Sequence, residues 1–305
     1  MATNPRILEG NTRSWDRRPE TEQEEPVLPL FLRTPKGQLL CIFGLLLVIA
    51  ATFEGGFAVL PNPLAGGLAA CAVDVAFTYW EKRRWIVPTS ALLSGLIVAF
   101  ILGTQEPWQV VAWVAGFASV TKHVIANRRE HIFNPAALAL LLSVVIFGSG
   151  QSWWGALGDL PELVCVVLIA TGVFIVERLN KFPMVLTFLA AYFVGFAIAS
   201  WVNASAVAEM FRAPFLQSAL FLAFFMLTDP PTSPNRFGDQ VGFGLVAAVV
   251  AVASQLLGVG QVYLLLGVLA ANVFLAWRRW QARRVVPATP RERRRARRAA
   301  VAQQR

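Results

Sequence analysis

The sequence predicts an all-α integral membrane protein of about ten transmembrane helices. Three observations carry this: 56% of the residues are hydrophobic and 15% charged, the charges gather between long apolar runs, and basic clusters recur at alternate connections. A soluble domain carries about 25% charged residues and cannot bury so much apolar surface in one core, whereas a bilayer accepts it. The runs are continuous, while membrane-barrel strands alternate over about ten residues.

The runs fall at 38–58, 63–80, 87–104, 107–124, 133–149, 160–177, 183–202, 213–228, 240–257 and 261–278. They divide the chain into an N-terminal tail (1–37), a ten-helix membrane domain (38–280) and a basic C-terminal tail (281–305). Residues 1–30 are polar and mixed in charge, with no apolar core of a signal peptide, and read as a disordered cytoplasmic tail. An inside N-terminus puts Arg6 to Lys36, Lys82 to Arg84, Lys122 with Arg128 and Arg129, Arg178 with Lys181, Arg236 and the whole C-terminal basic run on one side. Arg212 alone falls outside. Glu54, Glu106, Asp159, Glu162 and Glu209 mark the outer ends. The expectation is a multi-pass protein of the inner or plasma membrane with both termini cytoplasmic. Ten helices divide as five plus five, and an odd number makes the halves two inverted five-helix repeats. Pro88-Thr89-Ser90-Ala91-Leu92 and Pro214 with Ser218-Ala219-Leu220 give a faint internal echo of this.

The net charge of +9 resides in loops and tails, including Arg291 to Arg298, where it suits topology and anionic lipid rather than nucleic acid. Cys41, Cys71 and Cys165 lie in apolar segments, and with the two histidines they show no metal-ligand spacing. No nucleophilic triad, phosphate-binding glycine loop, haem-ligand pair or iron–sulfur cysteine set is present, so redox chemistry would need an organic cofactor or a partner subunit.

Four polar features remain inside the predicted topology. Asp74 lies in the second helix, and an intramembrane carboxylate must be paired or wetted. It reads either as a proton or cation ligand, or as a structural acid paired with a neighbouring Lys or Ser. Asn134 before Pro135 makes an N-cap and first-turn proline for the fifth helix, whose free N–H groups suit an anion. Thr228-Asp229-Pro230-Pro231-Thr232-Ser233-Pro234 ends the eighth helix and concentrates hydroxyl and carboxylate groups at headgroup level. Lys122 and His123 close the fourth helix on the same side, Lys122 reading equally as a snorkelling anchor.

Ser90-Ala91-Leu92-Leu93-Ser94-Gly95, Lys122, Phe133-Asn134-Pro135-Ala136, Phe224-Phe225-Met226-Leu227-Thr228-Asp229-Pro230 with Thr232 and Ser233, Phe243-Gly244 and the stretch Leu265 to Asn272 occur in order along 38–280. In these motifs the chain resembles the RnfD/NqrB family, membrane subunits of ion-translocating electron-transport complexes. The resemblance implies two inverted five-helix repeats similar to those of urea transporters, a second-helix acid at the place of Asp74, and a flavin esterified to a threonine between the fifth and sixth helices. Here that connection, Gly148 to Glu162, contains no threonine. Covalent FMN is therefore not expected. The leading reading is a subunit of an electron-transport system that binds FMN or riboflavin non-covalently through Ser90, Lys122, Asn134, Thr228, Asp229, Thr232 and Ser233. Asp74 would serve a proton or cation such as Na⁺, and flavoprotein or iron–sulfur subunits would be partners. The alternatives are a small-solute transporter or channel on the same scaffold, and a structural scaffold subunit.

Overall fold

The computed structural model describes residues 31–53, 56–83, 85–124, 126–127 and 130–285. Most of the N-terminal tail, the run from Arg291 to Arg298, Glu54, Arg84, Arg128 and Arg129 lie outside the described residues.

Ten apolar helices of three turns or more follow one another among the described residues: α1 (Pro35–Phe53), α2 (Pro61–Lys82), α3 (Thr89–Ile101), α4 (Trp108–Val124), α5 (Pro135–Phe147), α6 (Glu162–Leu179), α7 (Phe182–Ser200), α8 (Phe215–Met226), α9 (Phe237–Leu256) and α10 (Tyr263–Val285). A two-residue hairpin, β1 (Ala126–Asn127) with β2 (Glu130–His131), joins α4 to α5. The starts of α1 and α5 follow from local sequence. Pro35 opens α1 behind Thr34, whose hydroxyl accepts from the Gly37 N–H at 3.1 Å. Pro135 opens α5 behind Asn134, whose side chain accepts from the Ala137 N–H. α10 runs on to Val285, past the apolar run, because hydropathy reports the lipid-buried part of a helix and not its end.

Five helices, α1, α2, α7, α9 and α10, are long and apolar enough to span a bilayer. α3 and α5 have 13 residues each. At 1.5 Å per residue that is about 20 Å, short of the roughly 30 Å hydrocarbon core. The structure thus shortens the expected helices at 87–104, 133–149 and 213–228. The apolar sequence continues beyond α3 and α5 because the segments that follow are buried in protein as extended chain or turns. Leu102 bridges Gln151, and Gln151, Trp153, Trp154, Ala156 and Leu157 are all buried. The connection from Gly148 to Pro161, expected as an outer loop, is therefore re-entrant.

Irregular backbone at this depth must have its polar groups paired within the protein. The carbonyls at the end of α3 supply the partners. Ile101 O accepts from the N–H groups of Ser152 and Trp153 at 2.9 and 3.1 Å, and Ala99 O accepts from Trp154 Nε1 at 2.7 Å. Gly103 N–H donates to Gly150 O, and Gly150 N–H donates to Glu106 Oε1 at 2.6 Å.

Helix packing uses small residues, as expected where lipid removes the hydrophobic drive between helices. α2 and α3 touch at Gly66 and Gly95; a Cβ on Gly66 would lie 2.8 Å from Gly95 O. Ser119 on α4 donates to Ala70 O on α2 at 3.0 Å. α2 packs on α4, and α7 packs on α9, which also lies against α10. Between these sets an aromatic cluster fills the centre: Phe43 lies within 5.4–6.1 Å of the Phe100, Phe221 and Phe225 rings, centroid to centroid. Large apolar side chains such as Val48, Leu68, Trp113 and Val194 face outward, more than half exposed, as a lipid-contacting surface.

Candidate functional site: a cavity at the basic end

The end of the molecule that carries Lys36, Lys122 and Lys181 also holds a cavity of about 380 Å³ between α1, α3, α5, α6 and the end of α8. That volume lies at the lower end of the range for small organic ligands. Its floor is apolar, made by Leu93, Ile97, Ile175 and Phe225; its rim is polar, made by Lys36, Ser90, Ser94, Asn134, Thr228 and Asp229. Of the residues expected to hold a cofactor, the fold brings Ser90, Asn134, Thr228 and Asp229 to one cavity.

The rim is fixed by the way α8 ends. Its last turn widens, with Leu227 N–H donating five residues back to Leu222 O at 2.9 Å, and Pro230 and Pro231 then forbid any continuation. Thr228 turns its hydroxyl back onto Phe224 O at 2.5 Å. Thr232 and Ser233 stand behind the rim. Thr232 Oγ1 donates to Asp229 Oδ2 at 2.8 Å, and Ser233 Oγ to Thr228 O at 3.4 Å. Both position the wall and are absent from the cavity lining.

Asn134 and Asn272 tie this turn to the helices around it. Asn134 N–H donates to Asn272 Oδ1 at 2.8 Å, Asn134 Nδ2 to Met226 O at 3.3 Å, and Asn272 Nδ2 to Thr232 O at 3.2 Å. One polar chain therefore connects α5, the α8 turn and α10. The free N–H read from sequence at the start of α5 is in part consumed by it.

Three lysines complete the electrostatics. Burial pushes the Asp229 carboxyl up to about 6, held from rising further by the Thr232 hydrogen bond and by Lys36, Lys122 and Lys181. Lys181, between α6 and α7, is buried and donates to Pro234 O at 2.6 Å and to Asn235 Oδ1 at 2.8 Å. Burial lowers its ammonium to about 8, against the pull of Asp229. Lys36, Lys181 and Asn272 were not singled out as site residues from the sequence. Lys36 and Lys181 look there like topology markers, and Asn272 like the end of an apolar motif.

Lys122 is not at the cavity. Its Nζ lies 2.9 Å from Asp74 Oδ1, and His123 Nε2 lies 2.9 Å from the same oxygen. The Asp74 carboxylate is thus paired, with Phe77 stacked on the His123 ring at 5.0 Å. Among the described residues no group of three or more His, Cys, Asp or Glu side chains converges as a metal site.

The fold and the cavity define a multi-pass α-helical membrane protein with a ligand-sized site between its helix ends. Residues 36–163 match the model of the NQR2, RnfD, RnfE family. Over 140 residues the chain is 31% identical to the D subunit of the ion-translocating oxidoreductase complex of Pseudomonas paraeruginosa, covering 43% of this chain and 40% of that one. It is 28% identical over 112 residues to the protein of the same description from Aliivibrio salmonicida, covering 35% and 32%. The chain is thus similar to RnfD-like proteins of this family over α1 to α5 and the re-entrant segment. The matches span well under half the length of these curated relatives.

Proposed function

We propose that the chain is a membrane subunit of an ion-translocating electron-transport complex and that it holds FMN or riboflavin non-covalently in the cavity at its basic end. The observation that carries this is the convergence of Ser90, Asn134, Thr228 and Asp229, from three separated motifs, on one cavity with an apolar floor. The residues fit such a group. Leu93, Ile97, Ile175 and Phe225 match a planar aromatic ring system, the hydroxyls of Ser90, Ser94 and Thr228 match its polar edge, and Lys36 matches a phosphate. A bound flavin supplies the electron-carrying chemistry that these side chains lack. Asp229, with its carboxyl near 6, gains a proton at the rim as pH falls through about that value.

The absence of threonine between Gly148 and Glu162, together with the burial of that segment against α3, favours non-covalent over covalent attachment. The aromatic cluster of Phe43, Phe100, Phe221 and Phe225 fills the middle of the molecule, so a solute channel would have to pass a packed core. Two inverted repeats are supported by the packing of the second helix on the fourth in both sets of five, α2 on α4 and α7 on α9. The basic residues at the cavity end support its placement on the cytoplasmic side, with both termini there. Flavoprotein or iron–sulfur subunits are the partners this role requires.

The test is the absorption spectrum of the gently extracted, purified protein. A flavin band near that of free flavin, released into solution on denaturation, supports the reading. Its absence, even after incubation with FMN and riboflavin, removes the cofactor from it.

A further inference from the structure

The cluster of Asp74, Lys122 and His123 is separate from the cavity and is built unlike a site for a metal cation. Asp74 sits inside α2, with its side chain about nine-tenths buried, and Oδ1 takes two nitrogen donors at 2.9 Å each. An ionised carboxylate can only accept, so His123 presents an N–H at Nε2 and any further proton goes to Nδ1. The ammonium of Lys122 already compensates the carboxylate. A hard cation would need several oxygens gathered around it, and this oxygen is engaged by nitrogen donors. We propose that Asp74, Lys122 and His123 form a proton-binding site closed to metal cations, with His123 the group that gains and loses the proton.

The surroundings suit that role. With Asp74 and Lys122 both charged the pair is neutral, and a proton on His123 gives the cluster one positive charge facing the carboxylate. Phe77 on α2 stacks on the imidazole with 9° between the ring planes, which fixes its orientation toward Asp74. The side chains of Lys122 and His123 are 20% and 16% exposed, so the group is not sealed from solvent. Among the described residues, titratable side chains that act on the cluster from its surroundings include Cys71, one turn before Asp74 on α2, and Asp229 at the end of α8. Lys122 acts on both Asp74 and Asp229. A change of charge at the cavity is therefore felt at the cluster, and negative charge arriving there favours proton uptake. The inference rests on the reading of the chain as an ion-coupled electron-transport subunit, and names the proton as the ion handled at this site.

The experiment uses the full-length protein in lipid nanodiscs with labelled imidazole nitrogens. The chain has two histidines, so His131→Gln leaves the His123 signal alone. The expected result is that the His123 ring passes from one N–H to two on acidification, the added proton at Nδ1. Replacing K⁺ by Na⁺ at constant ionic strength is expected to change its proton affinity less than about threefold, and Asp74→Asn to lower it roughly tenfold. A His123 that keeps one charge state throughout overturns the proposal. So does an Asp74→Asn protein with unchanged titration, or a Na⁺-dependent fall in proton affinity above about threefold. If Asp74→Asn does not fold, the Na⁺ and K⁺ comparison decides alone. Flavin absorbance of the same samples reports separately on the cavity, so failure of one reading is distinguished from failure of the other.

Discussion

At the acidic end of the molecule α3 stops at Ile101, and its last carbonyls are taken by Ser152, Trp153 and Trp154 of the re-entrant segment. At the basic end α5 opens at Pro135 behind its cap Asn134, whose own N–H is taken by the side chain of Asn272 from α10. Both are helix ends held within a membrane protein, where unpaired backbone groups are costly. The acidic end pairs them with backbone and indole donors and packs rings inside them, Trp154 against Phe100 at 5.1 Å and Trp153 against Phe221 at 6.4 Å, with a smaller polar pocket of about 280 Å³ beside Trp154, lined by Asn62, Thr104 and Gln105. The basic end pairs them with amide and hydroxyl side chains and leaves about 380 Å³ open. The rings around the end of α3 are therefore a seal and the apolar-floored cavity at the basic end a receptacle, and substitutions at the two should separate stability from ligand binding.

The largest effect is expected from Asn272→Leu. It keeps the volume but orphans Asn134 N–H and Thr232 O, a loss of roughly 3 kcal/mol, and should be read as a lower Tm and flavin loss together. Gly155→Ala comes next. An added Cβ would run into the Phe100 ring, an overpacking of about 1–3 kcal/mol that should lower Tm at the seal while protein that remains folded still binds flavin. Asn134→Ala removes the cap of α5 and its bond to Met226 O, a cost of about 1–2 kcal/mol by thermal shift.

Asp229→Asn changes a pH dependence. The folded state holds the Asp229 proton more tightly, near 6 against an ordinary 3.8, so folded protein binds more protons within that interval. Stability should fall as pH rises from about 4 to 6 and level off above. The Asn variant lacks this term, so its Tm should gain on that of the wild type across this window. A constant difference would contradict the assignment. Ser90→Ala is the smallest. It should shift stability by less than about 0.5 kcal/mol while weakening flavin binding several-fold, measured by fluorescence titration.

The helices were legible because each apolar run is long and the basic residues bracket the runs consistently. The motif carrying Thr228 and Asp229 was legible for a local reason, since prolines dictate a turn whatever surrounds it. The three short helices were not. Hydropathy reports burial, and Leu102, Trp153 and Trp154 are as buried in extended chain and turns as they would be in a helix. The place of Lys122 was also hidden: its partner Asp74 lies 48 residues away, and a lysine at a helix end looks the same whether it meets lipid, cofactor or carboxylate. Asn272 was hidden by its neighbours, as one amide in an apolar stretch. Its partners on α5 and the α8 turn come from elsewhere in the chain.

The most direct measurement is a fluorescence-quenching titration of the flavin-stripped, full-length protein with riboflavin and with FMN, set beside Ser94→Phe, whose ring would occupy the cavity. Saturable binding of one flavin per chain, lost in a Ser94→Phe protein of unchanged Tm, is the result expected of a receptacle at the basic end. Quenching that is absent from the wild type, or equal in both proteins, would contradict it.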